Sequence, residues 1–212
     1  MASSRIVAFF YCLLSFGLLL APEPAVGASL SQCLIEALQG SKVEQAARPT
    51  SSEVAFSPNG DATTLVTKLI GSAKKTVRMA AYSLTSRPIA QALINAKEKG
   101  VDVRVLVDHG QIQSNSHSVV NRLQENHVTV RVDITHTLQH NKYIIVDEES
   151  LETGSFNYSA AAEYKNAENV LVLWQSPDLA ARYIKNWETL WAKAEPYKEP
   201  YNKKLREEPL DP

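Results

Sequence analysis

Hydrophobic and polar positions change their spacing along the chain in a regular succession, and each spacing predicts one kind of element. Period-two alternation or a short apolar run predicts strands at residues 53–56, 76–82, 101–107, 128–133, 143–146, 151–153 and 169–174. Helical spacing predicts helices after an N-cap at Asp61, from Pro88 to Lys99, over 119–126, and from Pro177 to about Ala194. Strands that alternate with helices indicate a single α/β domain whose mixed, mostly parallel β-sheet is covered by helices on both faces.

The two ends of the chain differ from this pattern. Arg5, the uncharged stretch 6–20 and the small residues 25–28 have the form of a secretory signal peptide, predicted here at residues 1–28. The stretch is shorter than the roughly 20 residues that span a bilayer, which favours a cleaved signal over an uncleaved anchor. We therefore expect a periplasmic or secreted protein without a stable membrane anchor. Residues 29–50 are predicted as a lead-in, 51–194 as the α/β domain, and 195–212 as a flexible, charged and proline-rich tail.

Composition narrows the chemistry only slightly. The formal net charge is −1, so a nucleic-acid substrate would need a local basic groove rather than a global basic field. No cysteine–histidine cluster has zinc-site spacing and no glycine-rich loop follows a predicted strand, so we expect neither a metal nor a cofactor. Cys12 leaves with the signal peptide, and Cys33 alone cannot form an internal disulfide. An intersubunit Cys33–Cys33 bond stays open beside the simpler interpretation of an idle thiol.

One segment gathers side chains that suit a phosphate diester. His140 and Lys142 are two residues apart at the entry of an apolar strand, so they point to the same side. A turn and a short strand follow, and their return would bring Ser155 and Asn157 near the first pair. An imidazole nucleophile, an ammonium group and two neutral hydrogen-bonding groups are what a phosphodiester site requires.

The same segment carries a complete family motif. With the spacing H-x-K-x4-D-x6-G-S-x-N, the residues His140, Lys142, Asp147, Gly154, Ser155 and Asn157 resemble the signature of the phospholipase D superfamily. The segments 56–58 and 80–82 and the strand ending in Asp108 extend the resemblance to the small single-motif bacterial endonucleases of that superfamily. The resemblance implies a phospholipase D-like fold. Glu168 matches the family's acidic partner that hydrogen-bonds and orients the catalytic histidine.

The resemblance also implies a mechanism. One histidine attacks phosphorus to give a phosphohistidine, while a second protonates the leaving oxygen and then activates water, without a metal. A chain with one motif would supply both by forming a homodimer whose active site is shared across the twofold axis. Lys142, Asn157 and Ser155 would hold the phosphate oxygens. Gly154 is a supporting residue, and Asp147 is expected to be structural because its position at the strand end points it away from the others.

Three function classes remain in view. A nonspecific endonuclease that cleaves DNA, with RNA as a further substrate, is the leading interpretation. A phospholipase D-type hydrolase of phospholipids is the alternative, and a catalytically silent binding module is disfavoured by the intact His140, Lys142 and Asn157. The remaining histidines, including His109 and His136, are expected to be surface or loop residues.

Overall fold

Residues 51–114 and 119–198 are described by the computed structural model, and they form eight strands and six helices. The strands are β1 (Ser51–Ser57), β2 (Thr76–Ala81), β3 (Asp102–Asp108), β4 (Thr129–Asp133), β5 (Lys142–Val146), β6 (Ser150–Gly154), β7 (Glu168–Trp174) and β8 (Glu195–Pro196). The helices are α1 (Ala62–Gly71), α2 (Arg87–Glu98), α3 (His109–Ser114), α4 (Val120–Glu125), α5 (Ala160–Tyr164) and α6 (Pro177–Lys193). The predicted signal peptide, the lead-in and Cys33 lie outside the described residues.

All eight strands join one sheet in the order β1-β7-β6-β5-β2-β3-β4-β8. Only the β2–β3 and β3–β4 pairs are parallel, and the other five neighbouring pairs are antiparallel. The predicted mixed sheet is confirmed, but the expectation that it is mostly parallel is wrong. The reason is that β5, β6 and β7 follow one another through short turns or one short helix, and such connections return a strand beside its predecessor in the opposite direction.

Helices cover the sheet on both faces, as predicted. On one face, α1, α2 and α4 pack their apolar sides against alternate residues of the strands, among them Val77, Val105 and Ile144. On the other face, α6 packs Trp187 against Ala80, Tyr143 and Ile145. Successive strand residues point to opposite faces, and helices cover both faces, so both sets of strand residues are buried. This explains the continuous apolar runs in the sequence.

Several local features differ from the sequence prediction. Asp61 does precede α1, but its backbone is left-handed (φ 59°) and its side chain makes no capping hydrogen bond. The tail predicted to begin at residue 195 instead starts with β8, which pairs with β4, and Tyr197 is buried. The short helices α3 and α5 were not predicted, because five or six residues are too few to show a helical period.

The motif residues lie at one end of the central strands, not along an outer strand of the sheet. Lys142, the first residue of β5, pairs with Ala81, the last residue of β2. Gly154, the last residue of β6, pairs with Val170 near the start of β7. The end of β3 at Asp108 lies at this same edge, because β3 runs parallel to β2. Residues that enter or leave five different strands therefore meet there, and we call this the site edge.

Candidate active site

The segment that enters β5 is held by a hydrogen bond to the buried carboxylate of Asp108. Asp108, 1% exposed, accepts the backbone N–H of Gln139 at 2.9 Å. The side-chain oxygen of Gln139 in turn accepts the N–H of Asn141 at 2.8 Å, and the carbonyl of Asn141 accepts the N–H of Tyr82 at 3.0 Å. His140 lies between these two bonded residues, so its backbone is held on both sides while its side chain is exposed.

His140 has an aromatic neighbour that the sequence did not single out. The ring of Tyr82 lies 4.5 Å from the imidazole centroid at an interplanar angle of 57°. The same Tyr82 ring faces the Lys142 ammonium, with Nζ 4.9 Å from its centroid, a distance at which a cation is attracted to the ring. Tyr82 thus contacts both residues of the H-x-K pair and limits the positions that their side chains can take.

Lys142 is unusual for a lysine because only 7% of it is exposed. Its Nζ donates to the carbonyl of His140 at 2.7 Å. Burial lowers the pKa of Lys142, and the nearby negative charge of Glu168 offsets part of that effect. The result is a cation held in place at the base of the site, next to the exposed imidazole.

Gly154 is explained by a close approach of two strands. A Cβ at this position would lie 2.1 Å from the carbonyl oxygen of Asn169, which no side chain can tolerate. The absence of a side chain lets β6 and β7 approach each other beside the motif. Ser155 follows directly, and its N–H donates to that same carbonyl at 3.2 Å.

The carboxylate of Glu168 is bound within its own chain, but not to the histidine. Its Oε2 accepts the Ser155 hydroxyl at 2.6 Å and its Oε1 accepts the Asn166 side-chain amide at 3.0 Å. Within the described residues no hydrogen bond joins Glu168 to His140, so the expected pairing is not made inside one chain. The Ser155 hydroxyl is likewise engaged with Glu168 rather than free to donate to a phosphate.

Asn157 retains unused hydrogen-bonding capacity. The residue is half-buried, and its side-chain oxygen Oδ1 is fully covered yet has no hydrogen-bond partner among the described residues. Buried polar atoms are nearly always satisfied in folded proteins. The unpaired Oδ1 is an acceptor, so a phosphate oxygen could be bound only by the side-chain N–H₂ group of Asn157.

The H-x-K pair opens onto a shallow depression of about 360 Å³. Its walls are polar and aromatic, formed by His140, Asn141, Lys142, Tyr143, Thr153, Gly154, Ser155 and Tyr183. Among the described residues no group of three or more histidine, cysteine, aspartate or glutamate side chains has an arrangement that could hold a metal ion. What the depression offers is an exposed imidazole beside a buried ammonium.

Comparison with known proteins gives this geometry a family. Residues 66–191, more than half of the chain, match the family described as cardiolipin synthase, PLD-like domain. The chain belongs to the phospholipase D superfamily. A solved structure of a phospholipase D family member, Nuc from Salmonella typhimurium, is 39% identical with a TM-score of 0.68, and the match covers 70% of this chain and 99% of that one.

Curated relatives of this superfamily carry lipid names. A phospholipase D of Rickettsia conorii is 37% identical over 132 residues, 62% of this chain and 65% of that protein. A mitochondrial cardiolipin hydrolase of Chlamydomonas reinhardtii is 32% identical over 122 residues, 58% of this chain and 54% of that protein. The matched region thus spans less than two thirds of the length of either relative.

Within the superfamily motif, Asp147 lies at the far end of β5 from His140 and binds backbone instead. Its carboxylate accepts the N–H groups of Lys74, Lys75 and Thr76 at 2.9, 2.7 and 2.8 Å. Burial opposes ionisation of Asp147, but these donors outweigh it and lower the pKa of the carboxyl group. This geometry agrees with the structural role expected of Asp147, since it ties the β5–β6 turn to the start of β2.

The motif alone did not reveal the residues that hold it. Tyr82 and Asp108 were visible in the sequence only as the ends of two predicted strands, and Tyr183 only as part of an apolar helical stripe. The two strands end in an aromatic and an acidic residue, and parallel neighbouring strands end on the same side of a sheet. This could have indicated that Tyr82 and Asp108 lie close to each other at the site. His136, outside the motif, is exposed and bonds Asp133 at 2.8 Å, as a surface histidine would.

Proposed function

We propose that this chain is a phosphodiesterase of nucleic acids that cleaves DNA, with RNA as a further substrate, through a covalent phosphohistidine at His140. The observation that carries the proposal is a second, larger groove, whose lining includes Ser83, next in the chain to the Tyr82 that contacts both His140 and Lys142. It has a volume of about 850 Å³. A strand of nucleic acid is long and needs such a track on one side of the bond that is cut.

The lining of this groove suits a polar chain better than acyl tails. Its walls include the hydroxyl residues Thr63, Ser83, Thr85, Ser86 and Ser159, together with Arg87 and Arg122. Arg87 is exposed and forms no ion pair in the part of the chain that the structure describes. Two acidic residues, Glu125 and Glu163, also line the groove, and the carboxylate of Glu163 accepts the N–H and hydroxyl of Thr63 at 3.0 and 2.5 Å.

The chemistry follows from the exposed imidazole. A neutral ring nitrogen of His140 attacks phosphorus and forms an N–P bond, while the P–O bond to the leaving strand breaks and that oxygen takes a proton from a second imidazole. Water, deprotonated by this second imidazole, then displaces the His140 nitrogen and releases the phosphomonoester. The Lys142 ammonium and the Asn157 amide stabilise the charge on the phosphate oxygens.

In this proposal the second imidazole comes from another copy of the chain. The motif occurs once in the sequence, so one chain supplies a single H-x-K pair. Glu168 makes no bond to its own His140, and its carboxylate is held at the site edge by Ser155 and Asn166. A homodimer with its twofold axis at this edge would bring two His140 rings together, and each Glu168 would orient the imidazole of the opposite chain.

The direct test compares two substrates in the presence of a chelator. Purified protein is incubated with plasmid DNA and with phosphatidylcholine–cardiolipin vesicles, each with and without EDTA, beside His140→Ala and a matched His127→Asn control. Asparagine suits the left-handed backbone of His127 (φ 60°). We expect DNA cleavage that survives EDTA and His127→Asn and is abolished by His140→Ala. Lipid turnover without DNA cleavage would overturn the nuclease proposal, and loss of activity in EDTA would overturn the metal-free mechanism.

One observation favours phospholipids as a second candidate. Three large apolar side chains are exposed near the site edge: Leu138 (53%), Phe56 (59%) and Tyr164 (72%). Leu138 precedes His140 by two residues, and Phe56 lies near the end of β1 at the same edge. Exposed apolar groups beside a site are suited to the surface of a bilayer.

The exposed leucine separates the two candidates. Leu138→Ser should leave DNA cleavage unchanged if the substrate is nucleic acid. If the substrate is a phospholipid, the same change should reduce vesicle hydrolysis by about tenfold, from the loss of one inserted side chain. The measurement is the ratio of the two activities in the variant and in the unaltered protein.

A further inference from the structure

A carboxyl group at a variable position of the motif, two residues before Gly154, is buried in the protein interior. Glu152 belongs to β6 and is 0% exposed. Its neighbours across the sheet are Ile144 on β5 and Val172 on β7, so its side chain points to the face covered by α1, α2 and α4. An acidic residue is rarely found in such a position without a specific partner.

The partner of Glu152 is the phenol of Tyr158. The Tyr158 hydroxyl donates to Glu152 Oε2 at 2.7 Å, while Oε1 is buried without a partner in the described residues. Burial raises the pKa of Glu152 to about 8, although the bond from Tyr158 lowers it somewhat. Near neutral pH the carboxyl group is therefore protonated and uncharged, which is the form that an apolar interior accepts.

Tyr158 in turn fixes the segment that carries two motif residues. Its N–H donates to the carbonyl of Ser83 at 3.1 Å, and its carbonyl accepts the N–H groups of Thr85 and Ser86 at 2.8 and 2.9 Å. The adjacent Phe156 is fully buried, with its ring edge-on to that of Tyr158 at 6.4 Å between centroids. Ser155, which lines the depression, and Asn157 alternate along the chain with these two buried rings.

We propose that the Glu152–Tyr158 pair is a positioning device for the phosphodiester site, in which the buried hydrogen bond between them holds Tyr158 and thereby sets the location of Asn157 and Ser155. The activity arm of its test rests on the proposed function. Neither residue contacts the substrate. When Glu152 ionises at alkaline pH, its carboxylate is a charge in an apolar interior with one hydroxyl donor, Tyr158, which does not offset the cost of burial. That cost is relieved when the packing around Glu152 opens to water, and the segment 155–158, which is bonded to Ser83, Thr85 and Ser86 through Tyr158, is loosened with it.

The charged groups around Glu152 do not substitute for the proton. On its own face of the sheet, Lys142 precedes Ile144 by two residues, and its Nζ is bonded to the His140 carbonyl. Glu168 is engaged with Ser155 and Asn166 at the site edge. Farther across the sheet, Glu53 pairs with Lys68 of α1 at 2.8 Å. On the opposite face, Tyr143 contributes to the raised pKa of Tyr158 and not to the pKa of Glu152. No cation among the described residues forms an ion pair with Glu152.

Three variants test the device. Glu152→Gln keeps the shape and remains neutral at every pH, Tyr158→Phe removes only the hydroxyl, and Tyr197→Phe is the matched control. Tyr197 is a buried tyrosine whose hydroxyl bonds Asn121 far along the chain from the motif. The first readout is hydrolysis of bis(p-nitrophenyl) phosphate across pH. The second is hydrogen exchange of the peptide that contains residues 155–159, with each exchange rate corrected for the intrinsic rate at that pH.

The imidazole acid is common to both proteins and limits activity at high pH in each. We therefore expect activity above about pH 8 to fall more steeply in the unaltered protein than in Glu152→Gln. In Tyr158→Phe, kcat should fall by about fivefold, the value of one buried hydrogen bond, while KM changes less than about twofold. Exchange in the 155–159 peptide should rise by a similar factor in Tyr158→Phe and stay unchanged in Tyr197→Phe.

Superimposable pH profiles for Glu152→Gln and the unaltered protein would overturn the proposal, as would unchanged exchange in Tyr158→Phe. If the unaltered protein hydrolyses no diester, the proposed function fails, and the exchange measurement alone decides the positioning role. Increased exchange over the whole chain, in Tyr197→Phe as well, would also overturn it, since the effect would then be general destabilisation.

Discussion

Glu152 shows at the scale of a single residue how the site affects stability. Its pKa is raised in the folded protein to about 8 from an ordinary value of 4.5, so the folded state binds a proton that the unfolded state has released between these values. Stability is therefore highest below about pH 4.5 as far as this group is concerned, and falls as pH rises through 8. Above that range the full cost of the buried charge is present.

Glu152→Gln should remove this dependence. We expect the variant to be more stable than the unaltered protein at alkaline pH by several kcal/mol, on the order of 1.4 kcal/mol for each pH unit crossed in that window. Urea denaturation at a series of pH values measures the difference. A constant difference between the two proteins at every pH would contradict the protonation of Glu152.

Two glycines provide a second contrast at this scale. Gly154→Ala places a Cβ 2.1 Å from the Asn169 carbonyl, so β6 and β7 must separate beside the motif, whereas Gly71→Ala meets nothing within 4 Å. We expect Gly154→Ala to destabilise the protein by about 2 kcal/mol or more and to abolish activity. Gly71→Ala should be neutral or stabilising by about 0.5 kcal/mol. Denaturant midpoints and activity measured for both variants decide, and equal effects would contradict the contact.

At the scale of elements, the turn between β5 and β6 depends on one carboxylate. Asp147 has a left-handed backbone (φ 53°), which asparagine also tolerates, so Asp147→Asn removes the charge without straining the turn. The pKa of Asp147 is lowered on folding, so the carboxylate contributes stability above its ordinary pKa of 3.8, and this is lost as pH falls through the lowered value.

Asp147→Asn should consequently be less stable than the unaltered protein at neutral pH by about 1 kcal/mol, and the difference should vanish in acid below the pKa of Asp147. Thermal unfolding at neutral pH and in strong acid measures it. A loss of stability that persists in acid would mean that the shape of the side chain matters rather than its charge.

The elements also show how far the sequence could be interpreted. All seven strands with a clear pattern were predicted within a few residues of their observed bounds, because a buried strand must carry apolar residues on its inward face. The two-residue β8 is too short for a pattern, and its pairing with β4 depends on where the chain returns after α6. The return of β6 beside β5 was predicted, but the expectation of a mostly parallel sheet was wrong, since an apolar strand looks the same in either orientation.

The motif residues were predictable for a related reason. His140, Lys142 and Asn157 are fixed by spacing alone, and spacing is visible in a sequence. Their supports were not visible, because Tyr82 and Asp108 reach the site through contacts between segments that are distant in the chain. The carboxylate of Glu168 lies at the predicted edge but binds Ser155, a partner that only the packing of β6 against β7 reveals.

At the scale of the whole molecule, the proposed shared site makes a quantitative prediction. When His140→Ala chains are mixed with unaltered chains and allowed to exchange, only dimers with two unaltered chains can supply both imidazoles. Activity should then fall as the square of the unaltered fraction. Steady-state hydrolysis over a series of mixing ratios gives the curve. A linear fall would show that each chain works alone.

The order of the strands has a mechanical consequence for the protein as a whole. β1 and β8, the first and last strands of the described chain, form the two opposite edges of the sheet. With neighbouring strands about 4.8 Å apart, the two edges are separated by roughly 34 Å, measured across the strands rather than along them. Tension applied at residues 51 and 198 would therefore peel the outer strands away one hydrogen bond at a time. The central strands that carry the H-x-K pair would be the last to feel the load.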